Sequence, residues 1–234
     1  MATVATTIPT IETEGDQLVV MDGVSWTGYA AFLRLRGERS RPKVVYLDGR
    51  LSLMSPGFAH ERMKTLLRVF IEIALEGLGI QFVPAGSTTL RHKRKRGGVE
   101  GDETYYLRNL EVLRGKKRLD LRVDPPPDLA VEVVVSHAAD DAVEVYRRFG
   151  VPEVWVCTET GLTFLLLDER GDYAASETGL AIPGLTADEA RAWIVRDDFP
   201  GEIEWRRAIR RWVAEELAPR RDRRKGEAEP RDRD

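Results

Sequence analysis

The stretch Pro-Pro-Pro-Asp-Leu-Ala-Val-Glu-Val-Val-Val, residues 125–135, decides the fold class. Its three prolines stop any helix, and the residues after them are nearly all apolar, with many β-branched side chains. Such an unbroken apolar run is typical of a strand that other layers cover on both faces. The sequence therefore predicts a central strand over 128–135.

The segments on either side of this strand carry a mixed pattern of helices and strands. An Asp-Gly pair separates two β-prone runs, which predicts a hairpin over 43–54. Apolar residues recur at helical spacing over 58–78, and a shorter helix is expected over 141–150. A further strand is expected over 99–109. This order predicts one α/β (α+β) domain, a mixed β-sheet flanked by helices.

Composition indicates where the domain begins and ends along the chain, and it excludes several classes of protein. We expect a flexible leader over residues 1–24, the domain over 25–198, and a C-terminal helix with a basic, disordered tail over 199–234. A single cysteine in 234 residues excludes a disulfide framework and thiolate zinc sites, and it favours a cytoplasmic location. No apolar run reaches the roughly 18 residues that cross a bilayer, so no membrane partner is expected.

Two acids in β-prone segments are the candidates for chemistry. Glu132 lies in the middle of the apolar strand, where an isolated carboxylate costs several kcal/mol without a partner. Asp102 lies in the strand expected over 99–109, on the same face as Glu100. Two carboxylates from neighbouring strands make an oxygen site suited to Mg²⁺ or Mn²⁺. The alternative is that Glu132 pairs with a buried arginine while Asp102 faces solvent.

Four motifs and one histidine give the chain a family resemblance. They are YLDGRLSLMSP (46–56) with His60, EGDETYYL (100–107), PPDLAVEVVVS (126–136) and VYRRFGVPEVW (145–155). Together they resemble the Uma family of restriction endonucleases, a branch of the PD-(D/E)XK nuclease superfamily, over about residues 25–195. The resemblance implies a restriction-endonuclease-like core in which Asp102 and Glu132 hold the metal ion.

The resemblance also exposes a missing lysine. The family's usual lysine, which orients the nucleophilic water, falls on Ala142, four residues before Tyr146. The alternative position within the strand holds Val134, so neither position supplies a cation. Losing a positioned cation or proton donor typically costs about 10² to 10⁴ in rate. One alternative is that another residue takes the place of the lysine, with His137, Arg147, Lys93 and Lys95 as the candidates. The other is that activity is weak or absent.

The remaining candidates are less specific. The basic run RHKRKR supplies Arg91, Lys93, Arg94, Lys95 and Arg96, which either meet DNA phosphates or form a solvated turn. Glu100 and Asp128 are acids close to the proposed metal site in sequence, and either one supports the metal ligands or stays exposed. His137 follows the strand and is either catalytic or simply solvated.

The functional hypothesis is a metal-dependent DNA endonuclease that hydrolyses phosphodiester bonds through a metal-bound water. Asp102, Glu132 and His137 are its candidate catalytic residues. The sequence leaves open whether the protein is a monomer or a homodimer. The alternative from another class is a catalytically weakened relative that binds nucleic acid or a protein without cutting. A weaker third reading is a hydrolase of other phosphate esters.

Overall fold

A computed structural model describes residues 15–134, 139–195 and 198–228 as two packed β-sheets with helices on their outer faces. The strands are β1 (Gln17–Met21), β2 (Lys43–Leu47), β3 (Arg50–Ser55), β4 (Val83–Pro84), β5 (Thr89–His92), β6 (Gly97–Glu100), β7 (Glu103–Tyr106), β8 (Leu129–Val134), β9 (Glu153–Thr158), β10 (Leu162–Leu167) and β11 (Tyr173–Ser176). The helices are α1 (Trp26–Arg36), α2 (Phe58–Gly77), α3 (Leu110–Leu113), α4 (Ala139–Phe149), α5 (Ala187–Val195), α6 (Glu202–Trp212) and α7 (Ala218–Ala228), with a π-helical turn over Val213–Leu217.

The first sheet has the order β1-β3-β2-β6-β5 and is antiparallel throughout. The hairpin expected over 43–54 is confirmed as β2 and β3. Asp48 and Gly49 form its turn at φ values of 49° and 103°, a region that favours Asn, Asp and Gly. Helix α1 packs on one face of this sheet through Tyr29, which stacks on Tyr46.

The second sheet has the order β11-β10-β9-β8-β7-β4, and it is the mixed sheet that the sequence predicts. Its pairs are antiparallel except for β8 and β9, which run parallel because α4 connects them. The apolar strand 128–135 appears as β8, buried along most of its length, as its composition predicts. Helix α2 covers one face of this sheet together with α5 and α6, around Trp155 and Phe70.

Helix α4 lies where the two sheets meet. Its side chains Ala142, Val145 and Tyr146 pack against residues of both β6 and β8 in a second apolar cluster. The helix expected over 141–150 is thus present, and its apolar side chains pack on both sheets. This position brings the helix next to Glu132.

One internal segment differs from the sequence-based expectation. The single strand expected over 99–109 is broken into β6 and β7, because the chain leaves the first sheet at Gly101 and enters the second. A Cβ atom at Gly101 would lie 2.2 Å from the Tyr146 hydroxyl, so only glycine permits this close crossing. Glu100 and Asp102 therefore do not share a strand face, and that prediction is wrong.

The termini also differ in their described parts. Part of the leader expected over 1–24 is ordered, since β1 pairs with β3 along its whole length. At the other end, where a C-terminal helix with a disordered tail is expected over 199–234, helical structure extends through α7 to Ala228. No helix in the described ranges is long and apolar enough to span a membrane.

Candidate active site

The two predicted acids meet at one lysine. Asp102 lies in the break between β6 and β7, Glu132 lies in the middle of β8, and Lys43 begins β2. The ammonium nitrogen of Lys43 is 2.6 Å from Asp102 Oδ1 and 3.8 Å from Glu132 Oε2. All three side chains are buried. The first sheet thus supplies the cation and the second sheet supplies an acid that faces it.

Asp102 is held by two further donors. His60, near the start of α2, places Nε2 at 2.9 Å from Asp102 Oδ1, and the Val133 backbone N–H donates to Oδ2 at 2.8 Å. The other nitrogen of His60, Nδ1, lies 2.9 Å from Asp16 Oδ2. The backbone N–H of Gly57 in turn donates to Asp16 at 2.8 Å. An Asp16–His60–Asp102 chain therefore fixes the orientation of the Asp102 carboxylate.

Glu132 is held on its other side by α4. The hydroxyl of Tyr146 donates to Glu132 Oε1 at 2.6 Å, and both side chains are buried. Oε2 of Glu132 keeps only the longer contact with Lys43 among the residues described. Glu132 is therefore the less saturated of the two acids.

The environment moves the pKa values of this cluster in opposite directions. Burial raises the pKa of Glu132 to about 7, although the Lys43 charge opposes it. Burial also acts to raise the pKa of Asp102, but the hydrogen bond from His60 and the Lys43 charge hold it well below its usual range. Burial acts to lower the pKa values of Lys43 and His60, and the neighbouring carboxylates raise both nonetheless. Separated acid pKa values of this kind are common at functional sites.

A small pocket of about 30 Å³ opens beside the cluster. Lys43 and Glu132 line it together with Ala142, the position at which the sequence lacks the expected lysine, and Ser52 and Asp16 complete its polar lining. This volume accommodates a water molecule or a small ion. Lys43 and Ala142 thus border the same space from two different elements.

The donors present fit a hard divalent ion. Mg²⁺ is usually held by one or two carboxylates and keeps several waters. Glu132 lines the pocket and Asp102 shares Lys43 with it, so the two acids offer such a pair. Within the described ranges, no group of three or more His, Cys, Asp or Glu side chains is arranged to hold a metal. The set available is therefore a two-carboxylate one, with Lys43 as its counter-charge.

Other residues named from the sequence lie outside this cluster. Glu100 forms a double ion pair with Arg36, with both distances at 2.5 Å. Asp128 accepts hydrogen bonds from the backbone N–H groups of Leu107 and Arg108. His137 lies outside the described residues.

The basic run begins at the end of β5 and forms the exposed turn between β5 and β6 over residues 93–96. Arg96 pairs there with Asp48 at 3.0 Å, while Arg91, Lys93, Arg94 and Lys95 extend from the surface. Arg147, one of the substitutes considered for the missing lysine, pairs with Glu144 at 2.6 Å on α4.

Sequence reasoning missed Lys43 and Asp16, and it gave His60 no role in the cluster. Lys43 is the first residue of a strand whose next residues are apolar, and this pattern is equally typical of an exposed strand end. His60 was noticed only as part of the family's opening, and Asp16 was assigned to the leader. The one signal available in the sequence was the need of a buried Glu132 for a cation.

The mixed sheet flanked by helices is the architecture of a restriction-endonuclease-like core. The chain belongs to the Uma2 family, whose model bears the description "Putative restriction endonuclease" and matches residues 29–209. A solved structure from Anabaena variabilis ATCC 29413, described as "a putative nuclease belonging to DUF820", shares the fold at a TM-score of 0.51. It is 9% identical, and the match covers 69% of this chain and 97% of that one. No curated protein matches the chain.

Proposed function

We propose that this protein is a metal-dependent endonuclease that hydrolyses phosphodiester bonds in DNA. The observation that carries the proposal is the convergence of Asp102 and Glu132 on Lys43 beside a small pocket. Membership of the Uma2 family supports the nuclease class. The single cysteine, Cys157, is buried and unpaired, which supports a cytoplasmic location.

Asp102 and Glu132 would hold Mg²⁺ or Mn²⁺. When bound, the ion would supply Lewis-acid charge to the phosphate and lower the pKa of an attacking water. Ion binding requires Glu132 in its ionised form, which its pKa of about 7 makes available near neutral pH. Asp102 is already ionised there, because its pKa lies well below the usual range.

The other members of the cluster position these acids and balance charge. Lys43 brings an ammonium group to the pocket, where it can donate to a phosphate oxygen as negative charge builds up in the transition state. His60 holds Asp102, and the Tyr146 hydroxyl holds Glu132, so both carboxylates keep one orientation. We propose that Lys43 supplies the positive charge that Ala142 cannot.

A second candidate function is binding of nucleic acid without cutting. Two observations favour it. Ala142 stands at the family's usual lysine position, and both oxygens of Asp102 already accept hydrogen bonds from groups of the protein. In this alternative Lys43 acts as a permanent structural counter-ion in place of the metal.

Supercoiled plasmid, incubated with the purified protein and Mg²⁺ or Mn²⁺, separates the two functions. We expect nicking by the wild type and a loss of about 10² or more in Asp102→Asn and in Glu132→Gln. Asp128→Asn is the matched control, since it lies just before the same strand, and it should cut at close to the wild-type rate. Equal nicking by all four proteins would indicate a contaminant, and binding without nicking by the wild type would favour the second function.

A further inference from the structure

A second polar groove lies at the end of the first sheet, separate from the acid–lysine pocket. Its volume is about 640 Å³, and its walls are the C-terminal end of α1 with the loop after it, the start of β5, and the loop around residues 117–119. Six of the lining residues are cations: Arg34, Arg36, Arg39, Arg91, Lys117 and Arg118. Three separate segments of the chain thus bring positive charge to one concave surface.

Most of this charge is not neutralised. Arg36 pairs with Glu100, but the other five cations are exposed and form no ion pair within the part of the chain that the structure describes. Glu38 is the single exposed acid among the groove's lining residues. The groove therefore carries a surplus of about four positive charges, which attracts a polyanion.

The floor of the groove is rigid. Arg36 donates to both oxygens of Glu100 and to the backbone carbonyl of Pro42, the last contact at 2.9 Å. The Thr89 hydroxyl also donates to Glu100. These contacts tie α1 to β5 and β6, so Arg34 and Arg91 are presented on a fixed frame, and Arg39, Lys117 and Arg118 lie on the two loops that border it.

The groove lies at the same end of the first sheet as the acid–lysine pocket. Lys43 begins β2, and β6 runs antiparallel to β2 and ends at Glu100, beside it. The two surfaces occupy opposite faces of this end, because Val45 packs towards α4 whereas Gly98 faces Tyr29 of α1. A ligand that spans the end of the sheet therefore meets both.

We propose that this groove binds the phosphate backbone of duplex DNA and holds it while the pocket acts on the bound molecule. Arginine-rich concave surfaces suit phosphates, because each guanidinium can donate two parallel hydrogen bonds to one of them. The assignment rests on the proposed function, since it names the surface that docks the same substrate. It adds a second basic surface to the β5–β6 turn, where Lys93, Arg94 and Lys95 are exposed as well.

The test compares two triple variants that remove the same charge. The groove variant is Arg39→Gln, Lys117→Gln and Arg118→Gln, and the control is Arg207→Gln, Arg210→Gln and Arg211→Gln on α6. All six side chains are exposed and none is in an ion pair within the described residues. Binding of a fluorescein-labelled DNA duplex is followed by anisotropy over a range of salt concentrations in EDTA.

We expect the groove variant to bind at least about 10-fold more weakly and to lower the salt slope by about 2 to 3, since each phosphate contact contributes about 0.9. The control should change affinity less than about threefold. Equal losses in both variants would show a net-charge effect and overturn the proposal, as would an unchanged groove variant or tighter binding of RNA than of DNA at the groove. Because EDTA prevents cleavage, the result stands apart from the plasmid assay, so each proposal can fail alone.

Discussion

Glu100 and Asp102 are two residues apart and both are buried, yet they lie in electrostatically different surroundings. Glu100 faces one arginine that matches it in charge and geometry, with two hydrogen bonds of 2.5 Å. Asp102 shares a single lysine with Glu132, so two acids compete for one ammonium group. The first arrangement is closed, whereas the second borders a pocket and is short of positive charge.

This difference teaches how a structural ion pair can be told from a reactive site. A bidentate arginine saturates its carboxylate and leaves little reason to bind anything else. Two carboxylates with one lysine retain a negative excess, and burial then raises the pKa of the less saturated acid, Glu132, to about 7. His60 adds to the second cluster a further group whose pKa is shifted upwards. We infer that Glu100 stabilises the fold and that Asp102 and Glu132 serve function.

The largest expected effect comes from moving the lysine. Lys43→Ala should lower the plasmid-nicking rate by about 10² to 10⁴, because it removes the cation that faces both acids. Adding Ala142→Lys should restore part of the rate, since position 142 borders the same pocket from α4. Nicking rates of the wild type and of the single and double variants, measured at one Mg²⁺ concentration, provide the test.

A folding defect would give a different pattern. Loss of activity in Lys43→Ala together with a loss of cooperative thermal unfolding would report a misfolded protein, and the double variant then shows whether an amine from α4 restores both. A folded Lys43→Ala protein that nicks within threefold of the wild type would contradict a catalytic role for Lys43.

Local patterns in the sequence predicted the elements but not their junctions. The Asp-Gly turn and the apolar stripe of α2 are encoded by neighbouring residues, so the hairpin and the helix were found. The break at Gly101 depends on Tyr146, which is far away in sequence and approaches only after α4 has packed. A run of β-prone residues cannot signal such a break.

The candidate site was also predicted only in part. Glu132 stands out because a carboxylate is rare in an apolar strand, and Asp102 because it lies in a β-prone segment. The structure places both at one lysine. Lys43 carries no local mark, because its burial results from the packing of the first sheet on the second. Asp16 is similar: it reaches His60 only because β1 adds to the edge of the first sheet beside β3.

Glu100→Gln tests the ion pair between Glu100 and Arg36. The substitution leaves the buried Arg36 guanidinium without its counter-charge, and breaking a buried pair in this way costs about 3–5 kcal/mol of unfolding free energy. Urea denaturation measures this loss. Per-molecule nicking activity of the folded fraction at saturating DNA should stay close to that of the wild type, and a selective loss of this activity at unchanged stability would place Glu100 in the reactive site.

Glu132→Gln should have the smallest effect on the unfolding free energy. At high pH it should stabilise the protein, whereas Glu100→Gln destabilises it. The folded-state pKa of Glu132 is raised to about 7 from an ordinary 4.5, so the folded protein holds a proton that the unfolded chain has already released. The contribution of Glu132 to stability therefore falls as pH rises from about 4.5 to 7, whereas glutamine does not titrate and still accepts the Tyr146 hydrogen bond.

Thermal unfolding of the two proteins in EDTA at pH 5 and pH 8 isolates this titration, because every other group is common to both. The difference in unfolding free energy should shift towards Glu132→Gln by on the order of 1–3 kcal/mol between these pH values, given about 1.4 kcal/mol for each pKa unit. At about 2–4 °C for each kcal/mol, the shift is measurable as a change in the difference between the two Tm values. Parallel Tm curves would mean that Lys43 already compensates Glu132 as fully as Arg36 compensates Glu100, and the contrast between the two clusters would disappear.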